Sequence, residues 1–171
     1  MLNAEGEAAT RTFAHEPGEG EARWWFGGLA TIKATKEQTG GRYTLVEILA
    51  PDGFASPLHV HHTEDEAFWI LEGEMTFYVG DQTIKAHPAG SFLFGPKEVP
   101  HAFKVDSGPA RLLFVLSPGG FEGLVRDMGE PAKELSIPPA PEAPPDEAEM
   151  ERMAAIAARY GNEILGPPPG Q

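Results

Sequence analysis

The sequence contains no cysteine, so no disulfide can form within the 171-residue chain. This absence is compatible with a reducing cytoplasm, although many exported proteins also lack cysteine. The first seven residues hold neither a cationic region nor an apolar run, so we expect no secretory signal. No apolar run has the length of a membrane span. Together these absences predict a cytoplasmic protein with no membrane partner.

Basic residues are scarce as well. The chain has 13 Lys and Arg against 26 Asp and Glu, which gives a formal charge of −13. Such a surface repels phosphate backbones, so we expect no nucleic-acid partner, and a solvated surface explains the acidity. A hydrophobic content of 41% is enough for a packed core, because a chain of this length buries about 70% of the surface that it exposes when unfolded.

Three histidines and one glutamate predict a metal site. His59 and His61 are two residues apart, so on a β-strand both imidazoles lie on the same side of the sheet. A tight turn at residues 62–65 would place Glu66 at the start of the next strand, where it could meet the same ion. His101 follows an apolar strand and supplies a third imidazole. This cluster would be costly to bury without a cation, which favours one divalent transition metal.

Two segments of the chain resemble the two conserved motifs of the cupin superfamily. Residues 53–73 match the first motif at every position. Residues 90–105 match the second by their glycine, proline and histidine, but Glu98 replaces the usual glycine and Val105 the usual asparagine. Neither departure removes a metal ligand. The resemblance puts four residues on the ligand positions of the family: His59, His61, Glu66 and His101.

The pattern of strands agrees with this resemblance, which implies an all-β fold, the cupin double-stranded β-helix or jelly-roll barrel. Short runs of aromatic and β-branched residues alternate with turn residues at 38–41, 72–74, 80–81 and 107–109, as in a sandwich or barrel. The predicted strands are 25–34, 42–49, 58–61, 67–71, 75–79, 82–86, 91–94, 102–105 and 111–117.

The sequence divides into four parts. A polar segment, 1–22, precedes the barrel, 23–136; a Pro-rich tether, 137–145, leads to a C-terminal helix and tail, 146–171. Asp146 and Glu149 have the spacing of a capping box, and apolar residues recur at helical spacing up to Tyr160. The tail helix must dock, on its own barrel or on a partner.

Residues 24–29 and 64–68 look most like small single-domain proteins related to quercetin dioxygenases. This resemblance implies an oxygen-dependent dioxygenase whose substrate is an aromatic, phenolic or enolic small molecule. The metal would be Fe, Mn, Co, Ni, Cu or Zn, and Glu66 would be both a ligand and the catalytic base. Six apolar residues are expected to line the substrate pocket: Phe68, Met75, Phe77, Phe92, Phe94 and Phe103.

Two other functions stay open. The chain could be a metal-binding or small-molecule-binding protein without turnover. It could also be an isomerase or lyase for a small oxo acid, which would require a cationic clamp from Lys33, Lys85, Lys104 or Arg111. Strand 111–117 is apolar on both faces, and a second copy could cover its outer side, so we expect a homodimer.

Overall fold

The computed structural model describes residues 10–86, 89–141 and 143–169. In these ranges ten strands and two helices form a mostly β structure, which confirms the predicted fold class. The first strands are β1 (Glu21–Trp25), β2 (Gly28–Ala34), β3 (Thr44–Ala50), β4 (Leu58–His61) and β5 (Asp65–Val79). The later elements are β6 (Gln82–Ala86), β7 (Phe92–Gly95), β8 (His101–Ser117), α1 (Phe121–Met128), β9 (Glu130–Pro131), α2 (Glu147–Arg159) and β10 (Asn162–Gly166).

One sheet joins all of these strands. Its main path is β10-β4-β8-β3-β2-β1-β9, while β5 pairs with β8, β7 and β6. The predicted strand 25–34 is wrong, because it is a hairpin of β1 and β2. Phe26 and Gly27 form the turn with φ of 52° and 82°. The hairpin brings Trp25 back over the interior of the sheet, where it is buried.

Strands β5 and β8 are longer than predicted. Residues 72–74 do not form a hairpin turn; β5 runs through them with shifts of register against β8. Gly73 has φ +84°, and a Cβ there would lie 2.8 Å from the Cα of Ala110, so this bulge requires glycine. Residues 107–109 likewise lie within β8. The two long antiparallel strands make the central pairing of the fold.

The core is formed by the inward faces of β3, β5 and β8. Buried and partly exposed residues alternate along β3 and along the second half of β8, as expected for strands with one face in the core. Phe68, Phe77, Phe103 and Phe114 meet in edge and tilted contacts at 4.9 to 5.9 Å between ring centres. Each fully buried ring contributes about 1.5–3 kcal/mol to stability.

The helices close one end of the barrel. Helix α1 buries Phe121, Leu124 and Val125, and its Glu122 accepts hydrogen bonds from the Thr44 hydroxyl and the Lys36 amide. The predicted cap of α2 is present, since Asp146 accepts from the Glu149 amide at 2.8 Å. After α2 the chain continues into β10, which pairs with β4. The tail thus packs on its own barrel. None of the helices in the described residues is long and apolar enough to cross a membrane.

Candidate metal centre

The structure brings the four predicted ligands together. His59 and His61 lie on β4, Glu66 on β5 and His101 on β8, and one potential ligand atom from each lies within 4.8 Å of all the others. Strand pairing places them, because His59 is in register with His101. His61, Glu66 and His101 are at most 2% exposed, and His59 is partly buried. The site is therefore largely shielded from bulk water.

Each imidazole is oriented by an acceptor at its Nδ1 atom. Carbonyl and carboxylate oxygens only accept, so Nδ1 donates in all three rings and each Nε2 is left for the centre of the cluster. This common orientation is the one that a mononuclear metal requires. The acceptors are Pro57 O at 2.8 Å from His59, Glu64 Oε1 at 3.2 Å from His61, and Val99 O at 2.9 Å from His101.

Glu66 supplies the negative charge of the cluster. Its Oε2 lies 3.1 Å from His101 Nε2 and 3.3 Å from His61 Nε2. Burial opposes the charged form of Glu66, but the His61 charge and the hydrogen bond from His101 outweigh it and lower the pKa of this carboxyl. For His61, burial is outweighed by Glu66 and Glu64, which raise its pKa to about 9. Burial and the neighbouring imidazoles lower the pKa of His59 to about 3.

These charges fit a divalent cation. The carboxylate is ionised and His59 is neutral, while a proton on His61 holds positive charge beside Glu66. A metal ion could take the place of that proton, because three imidazole nitrogens and one carboxylate oxygen are donors that transition metals accept. The cluster could therefore hold such an ion.

A small apolar cavity of about 60 Å³ opens beside the cluster. His59, His61 and Glu66 form its polar end. The other walls come from the β1–β2 hairpin, the segment before β4, strands β8 and β10, and both helices. Among the residues of these walls are Trp25, Phe26, Phe54, Phe121, Leu124 and Ile164.

The predicted pocket residues are only partly in this cavity. Phe103 lines it, whereas Phe68, Met75 and Phe77 are buried in the core. Phe92 and Phe94 are 62% and 53% exposed on the outer face of β7, so their assignment to the pocket is corrected. The reason is the parity of β7: Leu93 faces inward opposite Phe68, and Gly95 lies opposite Glu66.

Several wall residues were not predicted from the sequence. In α1, apolar residues recur at 121, 124, 125 and 128, a helical spacing that could have indicated this amphipathic helix. Asn162 and Ile164 reach the cavity only through the pairing of β10 with β4, for which the sequence gives no local signal. Of the described residues that line the cavity, none is a lysine or an arginine. Lys33 and Arg111 instead pair with Glu47.

Comparison with known proteins agrees with this geometry. Residues 45–116 match the family model described as "Cupin domain". Over 128 residues the chain is 34% identical to the quercetin 2,3-dioxygenase of Bacillus subtilis strain 168. This alignment covers 75% of this chain and 38% of the relative. The chain thus spans well under two thirds of the length of this relative.

Solved structures support the same fold. An RmlC-like cupin from Shewanella frigidimarina superposes with a TM-score of 0.56 at 19% identity, covering 66% of this chain and 96% of the other. A Thermotoga maritima protein described as a predicted oxalate decarboxylase superposes with a TM-score of 0.56 at 21% identity, covering 62% of this chain and 99% of the other. At these identities the likeness concerns the fold alone.

Proposed function

We propose that this chain, a cupin that resembles quercetin dioxygenase-like proteins, is a metal-dependent dioxygenase acting on a phenolic or enolic small molecule. The observation that carries the proposal is the position of the His59, His61, Glu66 and His101 cluster at the end of an apolar cavity. Such a cavity favours an apolar or aromatic substrate over a sugar or a phosphate ester. The identity to a quercetin dioxygenase supports the same chemistry.

A bound divalent transition metal would supply the redox or Lewis-acid chemistry that joins the substrate to O₂. A dioxygenase places both oxygen atoms in its product, so no external reductant is needed. The chain itself contributes the proton acceptor. Glu66 is ionised, its Oε2 contacts two imidazoles, and no hydrogen bond to its Oε1 is found in the described part of the chain. That oxygen can accept the proton of a phenol or enol that enters the cavity.

The cavity also limits the size of the substrate. Pockets that hold drug-sized ligands have volumes of about 300–1,000 Å³, far above the 60 Å³ of this cavity. A one-ring substrate requires less displacement of the walls than a three-ring flavonol and is therefore favoured. Because no cationic side chain is among the lining residues described, the cavity does not favour the isomerase or lyase of a small oxo acid.

An oxygen electrode tests the proposal. Protein loaded separately with Fe, Mn, Co, Ni, Cu or Zn would be given catechol, resorcinol, hydroquinone and quercetin, with metal content measured on each sample. Substrate-dependent oxygen uptake with at least one metal, faster for a one-ring compound, is expected. No uptake by any fully loaded form would overturn the dioxygenase assignment. Calorimetric binding of the same compounds in that case would support the non-catalytic binding protein.

A further inference from the structure

Three buried side-chain atoms in the described residues have no hydrogen-bond partner: Trp25 Nε1, Arg111 Nε and Asn162 Oδ1. Trp25 and Asn162 both line the cavity beside the metal-ligand cluster. Buried polar groups in folded proteins are nearly always paired, so two unpaired ones around a single cavity indicate partners that enter it. One is a donor and the other an acceptor.

The orientation of Asn162 follows from its neighbours. Its Nδ2 donates to Glu64 Oε1 at 3.3 Å and to the Tyr160 carbonyl at 3.2 Å. Both partners only accept, so the amide nitrogen must face them and Oδ1 is the atom left over. Asn162 is 5% exposed and in register with the ligand His61. An unpaired acceptor therefore lies beside the metal ligands.

Trp25 provides the complementary donor. It ends β1, is 9% exposed, and packs edge-on against Phe26 and Phe121 at 4.8 and 5.9 Å between ring centres. An indole N–H can only donate. Apart from Ser56, whose hydroxyl accepts from the Phe103 amide, Trp25 and Asn162 are the described lining residues outside the cluster whose side chains carry a nitrogen or an oxygen.

We propose that Asn162 Oδ1 and Trp25 Nε1 determine specificity by binding a second oxygen of the substrate. That oxygen is a hydroxyl, which donates to Asn162 and accepts from Trp25. The substrate is then a small apolar ring with two oxygen substituents, one directed to the metal-ligand cluster and one to this pair. This inference rests on the proposed function only for the oxygen directed to the metal-ligand cluster. The contact of the second oxygen with Asn162 and Trp25 concerns binding and not turnover.

Binding without turnover tests the pair. The Zn-loaded protein, under argon, would be titrated in a calorimeter with three matched sets, one for each ring position. Each set contains a dihydroxybenzene, its monomethyl ether and the corresponding methylphenol. The ether loses the donor, and the methylphenol loses both donor and acceptor. For at least one set we expect about a tenfold fall in affinity at each step, the worth of one hydrogen bond.

Variants assign each step to its residue. In Asn162→Leu the diol and its ether should bind within about twofold of each other, while the preference of ether over methylphenol stays. In Trp25→Phe the ether and the methylphenol should become equal. Ile164→Val is the matched control, because it changes the same wall without a polar atom and should leave both preferences intact. Thermal melting and zinc content verify that each variant is folded.

The wild-type protein alone can overturn the proposal. If it binds all three members of every set within twofold, the two atoms recognise no substrate oxygen, whatever the variants do. Preferences that persist in both variants would overturn it as well. Because the measurement excludes oxygen, a protein that shows the expected preferences but never consumes O₂ would refute the dioxygenase assignment and leave this inference standing.

Discussion

Glu64 accepts the Nδ1 proton of His61 at 3.2 Å, although Glu64 is neither one of the four cluster residues nor a residue that lines the cavity. Glu64 is buried and also accepts from Asn162 Nδ2 and from the Thr63 hydroxyl. The hydrogen bonds thus run from β10 through Glu64 to a ligand on β4. Such partners fix the tautomer and direction of a ligating imidazole.

Removal of the Glu64 charge should weaken metal binding. Loss of a partner behind a metal ligand typically lowers affinity 10- to 100-fold, so Glu64→Gln, which keeps an acceptor oxygen, should lower zinc affinity about tenfold. Competition with a chromogenic chelator measures the zinc affinity of each protein. Glu74→Gln, an exposed glutamate on β5, is the control and should bind zinc as the wild type does. Equal affinity of all three proteins would show that Glu64 does not position His61.

The four-ligand site predicts which histidines matter. His101→Ala and His59→Ala should each lose most of the bound metal, because three donors hold a transition ion less tightly than four. His62→Ala is the matched control: this imidazole is exposed and contacts Glu98 and Glu163 at 2.9 and 3.1 Å, away from the cluster. Elemental analysis after dialysis gives the occupancy. Full metal retention by His101→Ala would exclude the four-ligand model.

A substitution at Glu66 distinguishes an enzyme from a non-catalytic binding protein. If the carboxylate of Glu66 is both a ligand and the base, Glu66→Gln, which keeps an oxygen donor, should retain much of the metal and lose turnover by about 10² or more, the usual contribution of a positioned base. Oxygen uptake and metal content, measured on the same sample, distinguish the two effects. A variant that retains both metal and activity would contradict the role of Glu66 as base.

The ion pair of Glu21 predicts a dependence of stability on pH. Glu21 binds Arg126 at 2.6 Å and Arg23 at 2.8 Å, and the hydrogen bond from Arg126 is the main cause that lowers the pKa of Glu21. A carboxyl with a lowered folded-state pKa stabilises the protein above its unfolded-state pKa, and this stabilisation is lost as the pH falls through the folded-state value.

Urea unfolding of wild type and Glu21→Gln checks this sign. The wild type should be more stable at about pH 7, and the difference should shrink as the pH falls below about 4. Glu74→Gln again serves as the control and should show no such convergence. The effect should be small, since all three side chains are partly exposed and water screens the pair. A difference that grows towards acid pH would contradict the assignment.

Three of the four metal ligands could be predicted from the sequence because their geometry is local, whereas His101 is assigned through the resemblance of residues 90–105 to the second motif. A two-residue step fixes the parity of His59 and His61, and the short turn at 62–64 brings Glu66 back to them. The walls of the cavity depend on distant pairing instead. Asn162 meets His61 only because β10 adds to the edge of β4, a contact between residues about 100 positions apart.

The error at Phe92 and Phe94 has a similar cause. Phe92, Leu93 and Phe94 are all apolar, so alternation gave no indication of which side faces the core. The pairing with β5 decides it by placing Leu93 inside, opposite Phe68. A fully apolar run predicts a strand but not which of its faces is buried. The rings of Phe92 and Phe94 instead form part of an exposed surface on the outside of the sheet.

That surface, the outer patch, gives the prediction about assembly. It has two rows of residues in register, Phe92–Trp69–Leu113 across β7, β5 and β8 and Phe94–Ala67–Val115–Leu45 across β7, β5, β8 and β3. Trp69, Phe92 and Phe94 are 51%, 62% and 53% exposed, so their rings leave on the order of 300 Å² open to water. These seven residues carry no charge in a chain of formal charge −13, but the first row continues on β3 to Glu47, which pairs with Lys33 and Arg111.

We expect a second copy of the chain to cover the outer patch. A standard interface buries about 800 Å² on each partner, of which somewhat more than half is apolar, and the three rings together with the half-buried Leu113 and Val115 come close to that apolar share. A two-fold axis would let each patch cover the other.

Sedimentation at micromolar concentration should therefore give a dimer. Phe94→Glu should dissociate it, because the charge would be buried opposite its own copy. Phe13→Glu, at an exposed ring outside the patch, should stay dimeric, and both variants should keep their metal. A wild-type monomer at that concentration, or a Phe94→Glu protein that remains a dimer, would show that the outer patch is not the interface.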